Sequence, residues 1–331
     1  MNEKLDFVAI GDTVIDAFIH LKEDEAHTTR GPANTQMLCM QFGAKVPYDF
    51  VKVLPAVGNS ANAAVAAARL GLKSGLISNL GDDHYANECL DVFKGEGVVT
   101  DFIKKHDGKK TNYHYVLWYK DDRTILIKHE EYAYSMPDVD SPRWLYLSSL
   151  GKNSVEYHHE ITAYMKAHPE IKLAFQPGTF QISLGTEVLG ELYKHTEVFF
   201  CNVEEARLIL KTGGEGKDLA KLMTTIGPKI AVITDGPNGA FVCDGTDVWF
   251  MPVYPDPKPP YERTGAGDAF ASTFVAALAL GKTPAEAIEW APINSMSVVQ
   301  KVGAQEGLLK REELEQFLKD APADYKVQKL S

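Results

Sequence analysis

The residues best placed to do chemistry lie in Arg263-Thr264-Gly265-Ala266-Gly267-Asp268-Ala269-Phe270, where small residues lead one carboxylate into a long apolar run. Phe270, Phe274, Val275, Ala276, Ala277, Leu278, Ala279 and Leu280 cover nearly every face of a helix before Gly281 supplies a stop. That pattern predicts a buried helix. Its first-turn N–H groups have no intrahelical partner and carry the positive end of the dipole, so Gly265, Ala266 and Gly267 would let an anion touch bare backbone. Asp268 is then either an ordinary N-terminal cap or an acid placed for phosphoryl transfer.

Two earlier groups carry polar side chains of the same kind. Gly11-Asp12-Thr13-Val14-Ile15-Asp16 follows the first apolar strand pattern, with Asp16 expected just beyond the strand's carboxyl end. It reads as a turn residue or as an acceptor for sugar hydroxyls. Val57-Gly58-Asn59-Ser60-Ala61-Asn62 opens an alanine-rich helix, where Ser60 is a natural cap. Asparagine is a mediocre helix former, so the amide of Asn62 at a buried helix mouth suits recognition of a polyol.

Elements must deliver these groups to one place. Short Val, Ile, Leu and Phe runs at residues 7–11, 75–81, 144–151, 173–178, 198–202 and 230–236 end in Gly, Asn or Asp and read as buried parallel strands. Helical patterns at residues 60–70, 85–95, 155–168, 203–211 and 219–226 alternate with them. The alternation predicts an α/β doubly wound, mostly parallel sheet with helices on both faces, binding ligands at the strands' carboxyl ends. Residues 19–54 lack a clean helix, and residues 112–129 alternate around Asp121-Asp122-Arg123 as a hairpin. Residues 1–331 are expected to form one domain, with about 17–56 and 108–133 making a small antiparallel β lid. A further hairpin at residues 240–253 turns at Asp244-Gly245, ahead of a Pro-rich loop at 252–260.

Bulk composition removes several function classes. There are 34 Lys and Arg against 45 Asp and Glu, a net charge of −11, and no basic stripe, so neither nucleic acid nor an anionic membrane is an expected partner. Cys39, Cys89, Cys201 and Cys243 form no CxxC pair and fit a reducing compartment. The longest near-apolar windows hold about a dozen residues, short of the roughly 18 that span a bilayer. A soluble cytoplasmic protein is expected. Gly213-Gly214-Glu215-Gly216-Lys217-Asp218 fails as a P-loop, because Lys211 and Asp218 replace its first Gly and its Ser or Thr. His158, His159 and His168 read as a solvated helix face, and Tyr113, Trp118 and Tyr119 as hairpin packing or a cover over substrate.

In order and spacing, these motifs resemble the ribokinase-like, or PfkB, family of carbohydrate and nucleoside kinases, nearly end to end. Gly58-Asn59-Ser60-Ala61-Asn62 is similar to the family's amino-terminal signature and residues 262–268 to its carboxyl-terminal one. Asn202-Val203-Glu204-Glu205 matches its NxxE, Thr234-Asp235-Gly236-Pro237-Asn238-Gly239 its nucleotide strand-turn, and Gly303-Ala304 a late loop near the adenine. The resemblance implies an ATP- and Mg²⁺-dependent kinase acting on a hydroxymethyl group of a sugar. The other readings are a nucleoside kinase and a catalytically silent sensor.

The resemblance also implies roles. Asp268 would be general base, with Gly265, Ala266 and Gly267 as anion hole. Asp16, Gly58, Asn59, Asn62 and Arg123 would bind the acceptor. Asn202, Thr234, Gly236, Gly239, Gly267 and Gly303 would line the nucleotide, and Asn202 and Glu205 would hold the metal. Relatives often pair through the lid, which implies a homodimer. Glu262-Arg263 replaces the usual Asp-Thr start of the last signature, where many members bind a monovalent cation, so that requirement stays open. Arg263 either supplies a fixed charge beside the anion hole or covers Glu262.

Overall fold

The computed structural model describes residues 4–32, 35–120 and 122–330. Strand β1 (Phe7–Ile10) leads into β2 (Val14–Leu21), β3 (His27–Arg30), β4 (Gln36–Cys39) and β5 (Tyr48–Val57). Then α1 (Asn59–Arg69), β6 (Ser74–Gly81), α2 (His84–Gly95) and β7 (Ile103–His106) precede β8 (Asn112–Tyr119) and β9 (Asp122–Leu126). The alternation resumes with β10 (Trp144–Leu147), α3 (Val155–Ala167), β11 (Lys172–Phe175), α4 (Thr179–Lys194), β12 (Thr196–Asn202), α5 (Val203–Leu210), α6 (Gly216–Thr225) and β13 (Ile230–Thr234). It continues through β14 (Ala240–Cys243), β15 (Val248–Met251), α7 (Ala266–Ala279), α8 (Pro284–Val298), α9 (Arg311–Lys319) and β16 (Gln328–Lys329).

A 10-stranded sheet has the order β16-β15-β14-β13-β12-β11-β10-β1-β6-β7. It is parallel from β7 to β13 and antiparallel from β13 to β16. Strand β1 shows why both faces are covered: Phe7 and Ala9 enter one apolar core, while Val8 and Ile10 enter the other. Period-2 side-chain alternation demands helices on each side. The first core packs α1, α7 and α8, and the second packs α3 to α6. The all-round apolar pattern of α7 is explained by its neighbours, since it lies against both α1 and α8 and buries 11 residues from Asp268 to Ala279.

The expected lid is a separate four-stranded sheet, order β5-β2-β8-β9, with β3 and β4 pairing as a short ribbon. Residues 33, 34 and 121 of the expected lid segments, Asp121 of the hairpin turn among them, lie outside the described residues. Two expectations need correction. Asp16 does not follow the first strand's end but lies inside lid strand β2, because Val14 already pairs with Val57 and Asn112. His158 is not on a solvated face. It is 1% exposed, with Nδ1 2.6 Å from the Ser154 carbonyl and Nε2 accepting from Gln181 Nε2 at 3.0 Å. Burial pushes its imidazole down to about 4, so it serves as a neutral brace between α3 and α4. Trp118 is likewise packing: its ring stands edge-on to His20, Phe50 and Tyr261. Tyr113 leans on Tyr85 and Tyr115. Among the described residues no helix is long and apolar enough to cross a membrane.

Candidate active site

Parallel strands present their following residues at one edge of the sheet, and the polar groups collect there. Asp12 follows β1, Ser149 comes shortly after β10, Gln176 follows β11, and Asn202 and Thr234 end β12 and β13. All five line one cleft of about 460 Å³, which Asp16, Asn59, Asn62 and Asp268 also border. A second cavity of about 510 Å³ adjoins it, bordered by Gly236, Gly239, Pro252, Tyr254, Pro292 and Met296. Arg123, Asn202, Thr234, Arg263, Gly267 and Phe270 line both. The GAGD turn therefore stands where the two cavities meet.

Asp268 is 8% exposed and its carboxylate is held by three amides. Asn59 Nδ2 donates to Oδ1 at 2.7 Å, Asn62 Nδ2 to Oδ2 at 2.8 Å, and Gln176 Nε2 to Oδ1 at 3.1 Å. Burial raises its pKa above the ordinary 3.8 and nearby Asp16 adds to the rise, while the three amides oppose it. The balance leaves a fixed carboxylate that accepts a proton more readily than a surface aspartate. Asn62 is fixed in turn, its Oδ1 accepting from Gln305 Nε2 at 3.0 Å. The Tyr146 hydroxyl donates to Gln176 Oε1, which turns the Gln176 amide nitrogen toward Asp268.

Gly265 makes the turn possible. Its φ is 83°, and a Cβ there would lie 2.3 Å from the Ala304 Cβ, so both conformation and space require glycine. The helix follows at once, with Ala269 N donating to Gly265 O at 2.8 Å. The amides of Ala266, Gly267 and Asp268 fall in the first turn, where the helix supplies no acceptor. They are suited to an anion.

Glu262, just before this turn, is 0% exposed. Its Oε1 accepts from Thr264 N at 2.8 Å and from Thr264 Oγ1 at 2.6 Å, and Gly303 N donates to Oε2 at 3.4 Å. Its cation is Arg123 of the lid, with Nε 3.8 Å from Oε1. Arg263 faces the cavities instead. Arg123 thus ties the lid to the loop that leads into the GAGD turn. Gly303 sits behind that loop and lines neither cavity.

Asn202 and Glu205 form a reciprocal cap at the start of α5: Glu205 N donates to Asn202 Oδ1 at 2.8 Å and Asn202 N to Glu205 Oε2 at 2.9 Å. Burial raises the Glu205 pKa, and Glu204 and Asp268 push the same way. Among the described residues Glu205 Oε1 has no hydrogen bond. A divalent cation bound there would offset the buried charge, which fits magnesium's habit of taking one or two carboxylates. Asn202 holds that carboxylate in place.

Sequence reasoning missed Asp12, His114, His129, Tyr134, Tyr146 and Gln176. Only Asp12 and Gln176 carried a signal, as polar residues directly after buried parallel strands. The Tyr134 hydroxyl donates to Asp12 Oδ1 at 2.9 Å, His129 Nδ1 is 3.2 Å from Asp12 Oδ2, and His114 Nδ1 is 3.4 Å from Asp16 Oδ1.

The profile of the pfkB family carbohydrate kinases matches residues 54–311. The chain is 28% identical to the ribokinase of Bacillus subtilis over 79% of its own length and 87% of that protein. It is 26% identical to the 5-dehydro-2-deoxygluconokinase of the same organism, over 79% and 86%. Its fold is similar to that of Arabidopsis thaliana ribokinase complexed with ribose and ATP, with a TM-score of 0.79, 17% identity and coverage of 96% and 99%. The match runs from the end of lid strand β5 through the GAGD turn: this chain belongs to the pfkB carbohydrate kinase family and is a phosphotransferase acting on an alcohol group.

Proposed function

We propose that the protein transfers the γ-phosphoryl group of ATP to a hydroxymethyl group on a sugar, with Asp268 as general base. The observation that carries this reading is the buried, triply bonded Asp268 in the first turn of α7, at the junction of two cavities. The acceptor lies in the cleft bordered by Asp16, Gly58 and Asn62, and the nucleotide in the cavity bordered by Gly236 and Gly239. Asp268 withdraws the acceptor's hydroxyl proton as its oxygen attacks phosphorus, while the Gly265-Ala266-Gly267 backbone stabilises charge on the phosphoryl oxygens. Arg123 and Arg263, which border both cavities, add positive charge there. Glu205, set by Asn202, would hold magnesium, whose chemistry is to neutralise and orient the nucleotide phosphates. A monovalent-cation site at Glu262 does not fit the residues present, since Thr264 and Arg123 engage that carboxylate.

The lid excludes water while the acceptor is bound. Its edge strand β5 exposes Tyr48, Phe50, Val51 and Val53, an apolar edge that supports pairing with a second copy of the chain. A dimer mass in solution is the expected result, and a monomer across the micromolar range would refute it. Measuring ADP release with MgATP against pentoses, hexoses and nucleosides tests the activity. Turnover of sugars is expected; specific binding without turnover across the panel would make the protein a sensor, and preference for nucleosides would move it to the nucleoside kinases.

A further inference from the structure

Gln305, in the loop between α8 and α9, borders neither cavity, yet both N–H bonds of its side-chain amide are taken. Nε2 donates to the Ala56 carbonyl at 2.7 Å and to Asn62 Oδ1 at 3.0 Å. A carbonyl can only accept, so Ala56 decides which end of the Gln305 amide is nitrogen. Ala56 sits where lid strand β5 carries an extra residue against β2, between the pairs Asp16–Leu54 and Val14–Val57. Its φ of 64° is left-handed, and its N–H turns to the buried Cys89 Sγ at 3.2 Å. A bulge residue leaves the strand ladder, which frees its carbonyl for Gln305. The consequence passes along the amides: with Gln305 donating to its oxygen, Asn62 has its nitrogen left for Asp268, and Nδ2 donates to Oδ2 at 2.8 Å. Hydrogen bonds that donate in one direction along such a chain strengthen one another. The Gln305 backbone is held as firmly. Arg69 follows Asn62 by seven residues and so shares its face of α1. Its Nη1 donates to the Gln305 and Leu308 carbonyls at 2.8 Å each, while Nε and Nη2 pair with the Glu96 carboxylate at 2.8 and 2.7 Å.

Resting on the reading of Asp268 as general base, we propose that Gln305 is a positioning residue for the reaction: oriented by the lid-strand carbonyl of Ala56, it sets the Asn62 amide so that its nitrogen stabilises the Asp268 carboxylate. Burial raises the Asp268 pKa, and the Asn62 bond is the largest of the three hydrogen bonds that oppose the rise. Loosening Asn62 therefore makes the base harder to ionise. The other titratable groups that bear on Asp268 are Asp16 of β2, Glu205 of α5 and Tyr146 of β10. Asp12, His114, His129, Arg123 and Arg263 border the same cleft. Among the described residues Gln305 hydrogen-bonds to none of these groups, so its influence on Asp268 runs through Asn62.

The Asp268 carboxyl is titrated by ¹³C NMR in the full chain labelled at its aspartate carboxyls, the signal being assigned by its loss in Asp268→Asn. The acidic limb of kcat/KM is measured alongside. Gln305→Met, close in size and without donors, should move both upward by roughly half to one pH unit. It should also lower kcat roughly three- to tenfold with the KM for ATP unchanged. Gln305→Glu sets a carboxylate in competition for the Asn62 N–H and should move both further; Gln305→Met carries the comparison if that charge unfolds the chain. In an Asn62→Ala background Gln305→Met should move neither, a result that a merely structural role does not produce. A carboxyl pKa unmoved by the Gln305 substitutions, or shifted equally by Gln305→Met with and without Asn62, overturns the proposal. The two arms keep the readings apart. A carboxyl pKa that moves while the kinetic limb does not follow sinks the base assignment and keeps the positioning role, whereas a limb that follows Asp268 but ignores Gln305 does the reverse.

Discussion

The two cavities are built by different means. In the cleft proposed for the acceptor, side chains fix one another: Asn59, Asn62 and Gln176 hold Asp268, Tyr146 turns Gln176, Gln305 holds Asn62, and Tyr134 anchors Asp12. The cavity proposed for the nucleotide is shaped chiefly by backbone and apolar surface, with Gly236, Pro237, Gly239, Pro252 and Met296 on its walls. A network of buried polar groups sets atoms to the accuracy that proton transfer needs. A backbone and apolar wall sets shape, which suits a ligand held by its flat base and its phosphates. Substitutions in the first region should therefore act on kcat and on pH dependence, and those in the second on ATP affinity.

The strongest test of that division is Asp268→Asn, expected to lower kcat by roughly 10³-fold or more while the thermal midpoint barely moves. Activity within a few-fold of the parent would remove Asp268 as the base. Gly265→Ala comes next, because the added Cβ would collide with Ala304 and disturb the first-turn amides. A drop in kcat of about 10²-fold is expected, with about 1–3 kcal/mol of stability lost to the strained turn. A normal kcat in a folded Gly265→Ala protein would separate the anion hole from this turn.

The pH profile distinguishes the halves more finely. With the Asp268 pKa raised mainly by burial, the acidic limb of kcat/KM should lie above the range of an ordinary aspartate, activity falling as the base is protonated. Because the folded value is raised, the same group makes the protein more stable as pH falls through that value toward 3.8. Gln176→Leu removes one of the amides that hold the pKa down, so its limb should move to still higher pH. An unmoved limb would assign it to another group. The smallest effect belongs to Thr234→Val at the nucleotide end, expected to raise the KM for ATP roughly three- to tenfold with kcat and the acidic limb unchanged.

The residues read in the sequence and those found only in the fold differ in kind. Asp268, Gly265 and Asn62 were legible because each stands in a local pattern, a small-residue turn or a helix mouth, where its type conflicts with the bland expectation for the position. Their pairing was not legible. Asn62 was read as a ligand for substrate, yet its nitrogen and oxygen both bond within the protein, to Asp268 and Gln305. Arg263 was read as either a fixed charge beside the anion hole or a cover for Glu262; it borders the cavities, and Arg123 answers the Glu262 charge from 139 positions earlier in the chain. His158 failed as a surface residue because helical spacing gives no hint of the Gln181 amide waiting on α4.

By itself the sequence determined the alternation of strands and helices, the lid segments, the GAGD turn and the family signatures, since each depends on residues within a turn or two of one another. Tertiary structure alone decided which amides hold Asp268, which cation meets Glu262, and that Asp12, His114 and His129 share one wall. Those pairings join residues from different strands and loops. Their distances depend on how the sheet stacks β1, β10 and β11 and how the lid folds over it, which no local pattern of residue types encodes.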